Sequence, residues 1–406
     1  MSEDNYWLLP EGITEALPPD AQALELLRRR LLDLYARWGY QLVMPPLVEF
    51  IESLSAGTGS ELDLQTFKLT DQESGRLIGI RADITPQVAR IDAHQMRVDH
   101  PNRLCYAGAV LRTRANHANA GSRSPIQIGA ELFGHSGLDS DFEVISLAIE
   151  TVQHCRVGNI VLDLGHVGVF SRVCQQLEFS TQDERIFSDM LSRKSVPEIE
   201  QWIDKKTFNA VNAAILRQLP ELNGSVDILA DAKDLFSTMM SSEIQKTLTY
   251  LQKLCAQLQT HFPHLVIHLD LAELRGYSYH TGVVFQLYSQ GIKREVIRGG
   301  RYDGIGKMFG NARPATGFST NLRLLSRLSC DEEQISDTDT IAAPTEYDST
   351  LMKLINDLRS AGHRVIRQLE SGEYKGASQI KCNKQIVKQD GAWVVKELNE
   401  EGRSHG

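Results

Sequence analysis

The sequence has no surplus of positive charge. It holds 43 lysine and arginine residues against 52 aspartate and glutamate residues, for a formal net charge of −9. A broad electrostatic contact with nucleic acid needs a basic face, so this composition argues against such a role. The sequence also lacks any run of about 18 apolar residues and any charged-then-apolar leader. We therefore expect a cytoplasmic protein that does not bind a membrane.

Cysteine is sparse and scattered, with no Cys-x-x-Cys pair and no histidine pair at zinc-ligand spacing. The six cysteines are Cys105, Cys155, Cys174, Cys255, Cys330 and Cys382. This distribution predicts buried free thiols and no metal site. The glycine-rich segment at 299–304 lacks both the Lys-Ser/Thr end of a phosphate-binding loop and the spacing of a dinucleotide-binding turn. We therefore expect no cofactor.

The length of 406 residues and the apolar fraction of 42% predict two or three globular domains. Apolar residues at steps of three and four predict a helix at 20–38, and we predict another at 139–154. Short apolar runs between polar turns predict strands at 41–44, 77–80, 104–111, 127–133, 160–164, 266–269, 283–288 and 295–297. Together these elements predict an α+β fold with an antiparallel or mixed sheet and helices on one side.

The stretch 170–262 differs from its surroundings, because its pattern is helical throughout. A helix near 351–358 then precedes strand-like segments at 365–366, 385–387 and 393–395, which predicts a small α/β domain. The acidic, polar residues before it are typical of a linker. We accordingly divide the chain into a core formed by 1–168 and 264–330, a helical insertion of 169–263, a linker of 331–340 and a C-terminal domain of 341–406.

Two segments near predicted strands combine charged and polar side chains. On an extended chain Asp83 and Thr85 face the same side, where they can accept hydrogen bonds from an ammonium group. In the strand at 127–133, alternation places Gln127 and Glu131 on one face and apolar side chains on the other. Such polar groups on a central strand require partners or a ligand. A capped surface turn and a solvated hairpin loop remain the plainer interpretations.

Two later segments combine glycine with polar side chains. The segment 274–282 groups Arg275, Tyr279 and His280 around glycines, which concentrates hydrogen-bonding aromatic groups. A simple capped turn explains that segment equally well. The segment 299–304, GGRYDG, predicts a paired-glycine turn after a strand, where the backbone can closely approach a ligand.

In this order and spacing, these segments resemble the catalytic domain of histidyl-tRNA synthetase, a class II aminoacyl-tRNA synthetase, over roughly residues 8–328. LLPEGITEALP resembles the N-terminal entry of that family, PPLVEF its motif 1 at the dimer interface, and 112–131 its motif 2. RGYSYHTG resembles the histidine-specific loop, and GGRYDG with PATGF leads into motif 3. The resemblance implies a class II synthetase-like antiparallel sheet flanked by helices, with a helical insertion and a small C-terminal α/β domain.

The sequence departs from the synthetase pattern at positions that the family uses on ATP. Arg114 stands where motif 2 has a glutamate. Asn321 and Leu324 stand where motif 3 has a glycine and a phosphate-binding arginine. Leucine cannot donate a charge-assisted hydrogen bond to phosphate. We therefore interpret the nucleotide end of the site as damaged.

The resemblance also implies that the amino-acid end of the site is kept. Asp83 and Thr85 are expected to hold the α-amino group of histidine, and Arg112 and Gln127 its carboxylate. Arg275 matches the arginine that faces the carboxylate during activation in the synthetase.

Glu131, together with Tyr279 or His280, is expected to bind the imidazole. A pocket that binds histidine without making an adenylate is a sensor. This combination resembles the regulatory subunits of ATP phosphoribosyltransferase, a family paralogous to the synthetase, whose version of RADITPQVARIDAH is very similar. The resemblance implies a non-catalytic subunit, a short-form catalytic partner in a hetero-octamer, a homodimer through the core, and histidine as an allosteric ligand.

Two other functions stay open. One is an active histidyl-tRNA synthetase, which requires the motif 3 arginine that the sequence lacks. The other is a histidine-binding protein that acts without a partner. Residues 331–406 hold ten lysine and arginine residues against fourteen aspartate and glutamate residues, which is a poor surface for tRNA, so we expect no tRNA partner.

Overall fold

The computed structural model describes residues 6–55, 59–114, 122–237, 242–274, 279–292, 294–329, 340–369 and 382–398. The chain divides into two compact units, 1–330 and 331–406, each with its own hydrophobic core. Among the described helices, none is long and apolar enough to cross a membrane.

The first unit combines strands and helices along its whole length. Its strands are β1 Gln41–Leu42, β2 Val48–Phe50, β3 Phe67–Thr70, β4 Leu77–Ile80, β5 Asn102–Ala109, β6 Ile126–Phe133, β7 Ile160–His166, β8 Asn223–Gly224, β9 Val266–Asp270, β10 Val283–Ser289, β11 Glu295–Arg301 and β12 Ala315–Asn321. Its helices are α1 Asp20–Arg37, α2 Ile51–Leu54, α3 Gly59–Gln65, α4 Thr85–His94, α5 Leu138–His154, α6 Val167–Gln176, α7 Thr181–Ser192, α8 Val196–Asp204, α9 Ala210–Gln218, α10 Ile228–Ser237, α11 Ser242–His261 and α12 Leu322–Leu328.

A nine-stranded sheet organises this unit, in the order β1-β5-β6-β12-β11-β10-β7-β9-β8. The block from β5 to β7 is antiparallel throughout. Parallel pairing occurs where β1 joins β5 and where β9 joins β7. The predicted α+β class with an antiparallel or mixed sheet is thus confirmed.

One face of the sheet carries the larger core. The leucine stripe of α1 is buried, as its spacing predicts, and α1 packs against α5, α12 and β5. From β6, Ile128, Ala130 and Leu132 point into this core. Because side chains alternate along a strand, the polar side chains of β6 must face the opposite side.

The opposite face of the sheet is covered more sparsely. A second cluster there joins Ile84 and Val88 near the start of α4 with Tyr106 of β5 and Tyr302 after β11. A separate three-stranded sheet, in the order β2-β4-β3, is formed by the strands that precede α4 in the chain. Neither α4 nor β2 was predicted, since each is short and polar residues interrupt its apolar pattern. A partly open face of this kind leaves space for a ligand.

Three sequence predictions about backbone were wrong. Asp83 and Thr85 do not lie on an extended chain, because Ile84 between them has helical φ and ψ angles and Thr85 begins α4. The stretch 170–262 is not wholly helical, because β8 pairs antiparallel with β9; two residues are too few to show a strand period. The paired glycines Gly299 and Gly300 form no turn, since they lie inside β11 in register with β12. A Cβ atom at Gly299 would come 2.4 Å from the carbonyl oxygen of Gly317, so glycine here permits close strand packing.

The second unit is a small α/β fold. Its strands β13 Thr340–Ala343, β14 Arg364–Arg367, β15 Lys384–Gln389 and β16 Ala392–Glu397 form a sheet in the order β14-β13-β15-β16, with helix α13 Ser349–Ser360. Leu351 and Ile355 of α13 pack on Ile341, Val365 and Ile386. The predicted strand segments here are confirmed. The predicted linker at 331–340 lies outside the described residues, except for Thr340 at the start of β13.

A buried ion pair fastens α5 to the sheet of the first unit. Arg301 at the end of β11 donates from Nε and Nη2 to Asp141 of α5, at 3.1 and 2.8 Å. Its Nη2 also donates to Ser140, at 2.8 Å. Both charged side chains are at least nine-tenths buried. Removing Asp141 would leave the buried Arg301 with only a longer ion pair to the more exposed Asp303, at 3.3 Å, so its charge would be poorly compensated.

We expect Asp141→Ala to lower the free energy of unfolding by about 3–5 kcal/mol. Urea unfolding followed by circular dichroism measures this change. The matched control is Asp204→Ala, since Asp204 forms an exposed ion pair with Arg217 and such pairs contribute little. Equal free energies of unfolding for the two variants would contradict the structural role of the buried pair.

Candidate functional site

A cavity of about 250 Å³ opens on the sparsely covered face of the large sheet. Strands β6, β10, β11 and β12 form its floor, and the start of α4 forms one side. Six of the predicted site residues line it, namely Asp83, Thr85, Arg112, Glu131, Tyr279 and His280. Antiparallel pairing thus brings together residues that lie far apart in sequence.

Glu131 is the most buried charged group of the cavity, with 1% of its surface exposed. Thr85 and Tyr106 donate hydrogen bonds to Oε1, at 2.8 and 3.0 Å, and the hydroxyl of Tyr302 donates to Oε2. Burial raises the pKa of Glu131 to about 8, and the three hydroxyl donors oppose this rise. The carboxyl is therefore held in a fixed position, and it becomes a strong acceptor when a basic group in the cavity takes its proton.

The position of Glu131 requires a glycine on the neighbouring strand. Gly317 of β12 pairs directly with Glu131 of β6. A Cβ atom built at Gly317 would come 1.6 Å from Oε2 of Glu131. No side chain fits there while the carboxylate keeps its place, so the glycine of PATGF determines where the carboxylate lies.

Asp83 and Gln127 brace each other at the start of α4. The Oδ1 atom of Asp83 accepts from the amide of Thr85 and from Nε2 of Gln127, at 3.0 and 2.9 Å. The Oε1 atom of Gln127 accepts from the amide of Ile84, at 2.9 Å. Gln127 therefore serves to hold the start of α4, and it lines a smaller neighbouring cavity. The resemblance had suggested direct contact with a ligand carboxylate.

Arg112 reaches the cavity from the loop after β5. Its Nε donates to the carbonyl of Ala82, at 3.2 Å. Its Nη1 is buried and has no hydrogen-bond partner among the described residues. Burial, followed by the nearby charge of Arg298, lowers the pKa of Arg112 to about 10. The group stays charged at neutral pH, so a buried cationic donor is directed at the ligand space.

Aromatic rings close the other side of the cavity. Tyr279 stacks on Tyr302 with ring centroids 5.1 Å apart, and His280 meets Tyr279 edge-on at 5.2 Å. The hydroxyl of Tyr279 is buried without a partner among the described residues. A Cβ at Gly300 would come 2.7 Å from the His280 ring. Arg275, the remaining predicted site residue, lies outside the described residues.

A second cavity of about 40 Å³ adjoins the first. Arg112 and Arg298 border both cavities, and Leu324 of α12 lines the smaller one. The neighbouring Arg323 turns away, because its guanidinium donates to the carbonyls of Thr14 and Glu15. Among the described side chains, none on α12 therefore presents a cation to the smaller cavity.

Sequence reasoning missed four residues of the site, namely Tyr106, Arg298, Tyr302 and Gly317. Tyr302 and Gly317 lie in the quoted segments GGRYDG and PATGF, but only strand pairing shows that both serve Glu131. Tyr106 faces the site because it alternates with buried Cys105 on β5. The described residues contain no group of three metal-ligating side chains, and the described cysteines are free thiols.

This sheet and cavity define a protein of the class II synthetase type, and comparison agrees. A family model described as histidyl-tRNA synthetase matches residues 12–325. A histidyl-tRNA synthetase from Nostoc aligns with a TM-score of 0.74 at 20% identity, covering 96% of this chain and 97% of its own. A structure from Bacillus halodurans, described as an ATP phosphoribosyltransferase regulatory subunit or histidyl-tRNA synthetase, aligns with a TM-score of 0.80 at 24% identity, covering 92% and 96%.

Sequence relatives narrow the class to one family. The ATP phosphoribosyltransferase regulatory subunit of Thioalkalivibrio sulfidiphilus is 49% identical over 98% of this chain and 100% of the relative. That of Alkalilimnicola ehrlichii is 46% identical over 98% of both. A model described as the ATP phosphoribosyltransferase subunit HisZ C-terminal domain matches residues 338–396. The chain belongs to the family of ATP phosphoribosyltransferase regulatory subunits, which confirms the predicted relationship.

The raised pKa of Glu131 makes stability depend on pH. Between the ordinary pKa of 4.5 and the folded value of about 8, the folded protein keeps a proton that the unfolded chain releases. The contribution of this group to stability therefore falls as the pH rises from about 5 to 8. We expect Glu131→Gln to flatten that fall in the free energy of unfolding, measured by urea titration at successive pH values.

The control for this titration is Glu200→Gln, on the exposed face of α8. It should keep the native pH profile, because the carboxyl it removes is not part of the buried cluster. Parallel profiles for the native protein and Glu131→Gln would show that the cluster does not hold a proton.

Proposed function

We propose that this chain is the non-catalytic regulatory subunit of a short-form ATP phosphoribosyltransferase. In this proposal it activates the catalytic subunit and mediates feedback inhibition by histidine in the first step of histidine biosynthesis. The observation that carries the proposal is the buried Glu131 carboxyl, which faces an amino-acid-sized cavity within a synthetase-like sheet. Membership of the regulatory-subunit family supports the same conclusion.

The groups around the cavity complement histidine in its zwitterionic form. Asp83 and Thr85 offer acceptors for the α-amino group, and Arg112 offers a donor to the carboxylate. Glu131 lies where it can accept from the imidazole, with Tyr279 as a second polar partner. We assign Gln127 a supporting role through its bond to Asp83.

The nucleotide end of the site supports the absence of catalysis by this chain. Leu324 is 6% exposed and borders the smaller cavity where a phosphate group needs a cation. Arg323 is engaged with the chain near Thr14, and Arg114 is exposed. Activation of an amino acid needs charge stabilisation on the transferring phosphate, which these residues do not provide.

Regulation requires more than binding. Histidine shifts the activity of a complex only if it binds two global states with different affinity. The usual coupling is about 1–3 kcal/mol, or roughly 5- to 150-fold. We propose that histidine in the cavity favours a state of the complex in which the catalytic subunit is inhibited.

We further propose a homodimer through the synthetase-like core, within a hetero-octamer that includes the catalytic subunit. Exposed apolar side chains on and near β1 and β2 support the homodimer, namely Leu42, Met44, Leu47 and Val48. A neighbouring structure from Thermotoga maritima, described as an ATP phosphoribosyl transferase (HisG:HisZ) complex, aligns with a TM-score of 0.56 at 20% identity, covering 73% of this chain and 96% of its own. We place the assembly in the cytoplasm.

Two other functions are tested alongside this one. An active histidyl-tRNA synthetase would catalyse histidine-dependent exchange of pyrophosphate into ATP. A histidine-binding protein that acts alone would not elute together with the short catalytic subunit from a sizing column. Coelution without pyrophosphate exchange is the outcome that the proposed function requires.

The proposal predicts a change in phosphoribosyl-ATP formation by the short catalytic subunit from the same organism. Adding this chain should raise the rate, and histidine should reverse the gain. Glu131→Ala should remove the response to histidine while keeping activation, because the imidazole loses its acceptor. Glu200→Ala, an exposed change on α8, should behave as the native chain. Inhibition unchanged in Glu131→Ala would place the inhibitory histidine elsewhere.

Restoring one missing cation should not restore catalysis. We expect Leu324→Arg to show no pyrophosphate exchange, because Arg114 still replaces the motif 2 glutamate. Exchange assays with radiolabelled pyrophosphate, run beside an authentic histidyl-tRNA synthetase, measure this. Exchange above the native background would contradict a site that is impaired at both motifs.

A further inference from the structure

Arg298 lies at the junction of the two cavities and has no assigned role. It is a residue of β11, in register with Gln286 of β10 and Ser319 of β12. Its side chain borders both cavities. Within the part of the chain that the structure describes, no hydrogen bond or ion pair engages its guanidinium. Strand β11 thus presents to the ligand space an exposed cation that has no counter-ion among the described residues.

Arg112 faces the same junction. It is 4% exposed, and its Nη1 lacks a hydrogen-bond partner among the described residues. The two guanidinium groups are close enough for the charge of Arg298 to lower the pKa of Arg112. Like charges repel each other, and here the buried Arg112 faces the exposed Arg298, where solvent screens only part of the repulsion. An anionic group between them would remove this repulsion and satisfy the buried donor.

The neighbouring acidic side chains leave this position available. Asp83 already accepts two hydrogen bonds on Oδ1, from Thr85 and Gln127. Glu295 borders both cavities, but within the described ranges no ion pair joins it to Arg112 or Arg298. Glu131 is held by its three hydroxyl donors. The charge of Asp83 acts on Arg112, but no carboxylate among the described residues forms an ion pair with either arginine, so the junction can accept an anion from the ligand.

We propose that Arg298 and Arg112 together bind the α-carboxylate of the amino acid, which makes Arg298 a specificity-determining residue of the pocket. This inference rests on the proposed function, since it names the groups that hold one end of its ligand. The ligand then spans the cavity, with its carboxylate at the two arginines and its basic side chain at Glu131. An analogue without a carboxylate cannot form the contact with Arg298.

Isothermal titration of the full chain with histidine and with histidinol, the alcohol that lacks the carboxylate, tests this. Arg298→Gln should weaken histidine binding by about 10- to 100-fold, the range of one charge-assisted hydrogen bond. It should change histidinol binding by less than about 2-fold. Arg298→Lys, which keeps the charge, should retain part of the affinity. Arg97→Gln, at an exposed position, is the matched control and should change neither ligand.

The following outcomes would overturn the inference. If the native chain binds histidine and Arg298→Gln binds it equally well, Arg298 has no role, while the proposed function stands. If inorganic phosphate raises the melting temperature of the native chain but not of Arg298→Gln, and histidine affinity is equal, the junction is a phosphate site. If the native chain does not bind histidine at all, the proposed function fails together with this inference.

Discussion

The contact between the Glu131 carboxyl and three hydroxyl groups is the constraint on which the site depends. Thr85 arrives from the start of α4, Tyr106 from β5 and Tyr302 from the end of β11. One buried carboxyl therefore joins three separate parts of the chain. Gly317 leaves the space in which it lies. The antiparallel register of β6 with β12 is what makes these requirements compatible.

The two ends of the ligand space differ in the charged groups that line them. At the end that we propose binds the amino acid, Glu131 and Arg112 are buried, and strands and the start of α4 position the other polar and aromatic groups. At the other end, Leu324 fills the wall, and Arg323 is turned toward the first residues of the chain. In the proposed function, a synthetase scaffold keeps the recognition of an amino acid and lacks the means to stabilise a transferring phosphate. Binding alone would then suffice for a subunit that regulates a catalytic partner.

Much of this architecture could be predicted from the sequence, and the exceptions have physical causes. The leucine spacing of α1 and the alternation in β6 predict which faces are buried, because burial follows directly from periodicity. The paired glycines of β11 misled the prediction, since glycine is as suited to a turn as to close packing of strands. Arg298 and Tyr302 could not be assigned, because their roles arise from partners more than one hundred residues away in the chain.

Glu131 carries a proton at neutral pH, since its pKa lies near 8. Free histidine, the ligand that we propose, carries at the same pH a mostly neutral imidazole, with an ordinary pKa of about 6.5. When the two meet, the proton on Glu131 can pass to the imidazole and give a carboxylate–imidazolium pair. Association near neutrality would exchange few protons with solvent. The fraction of pockets that bind histidine would therefore depend on histidine concentration and only weakly on pH near neutrality.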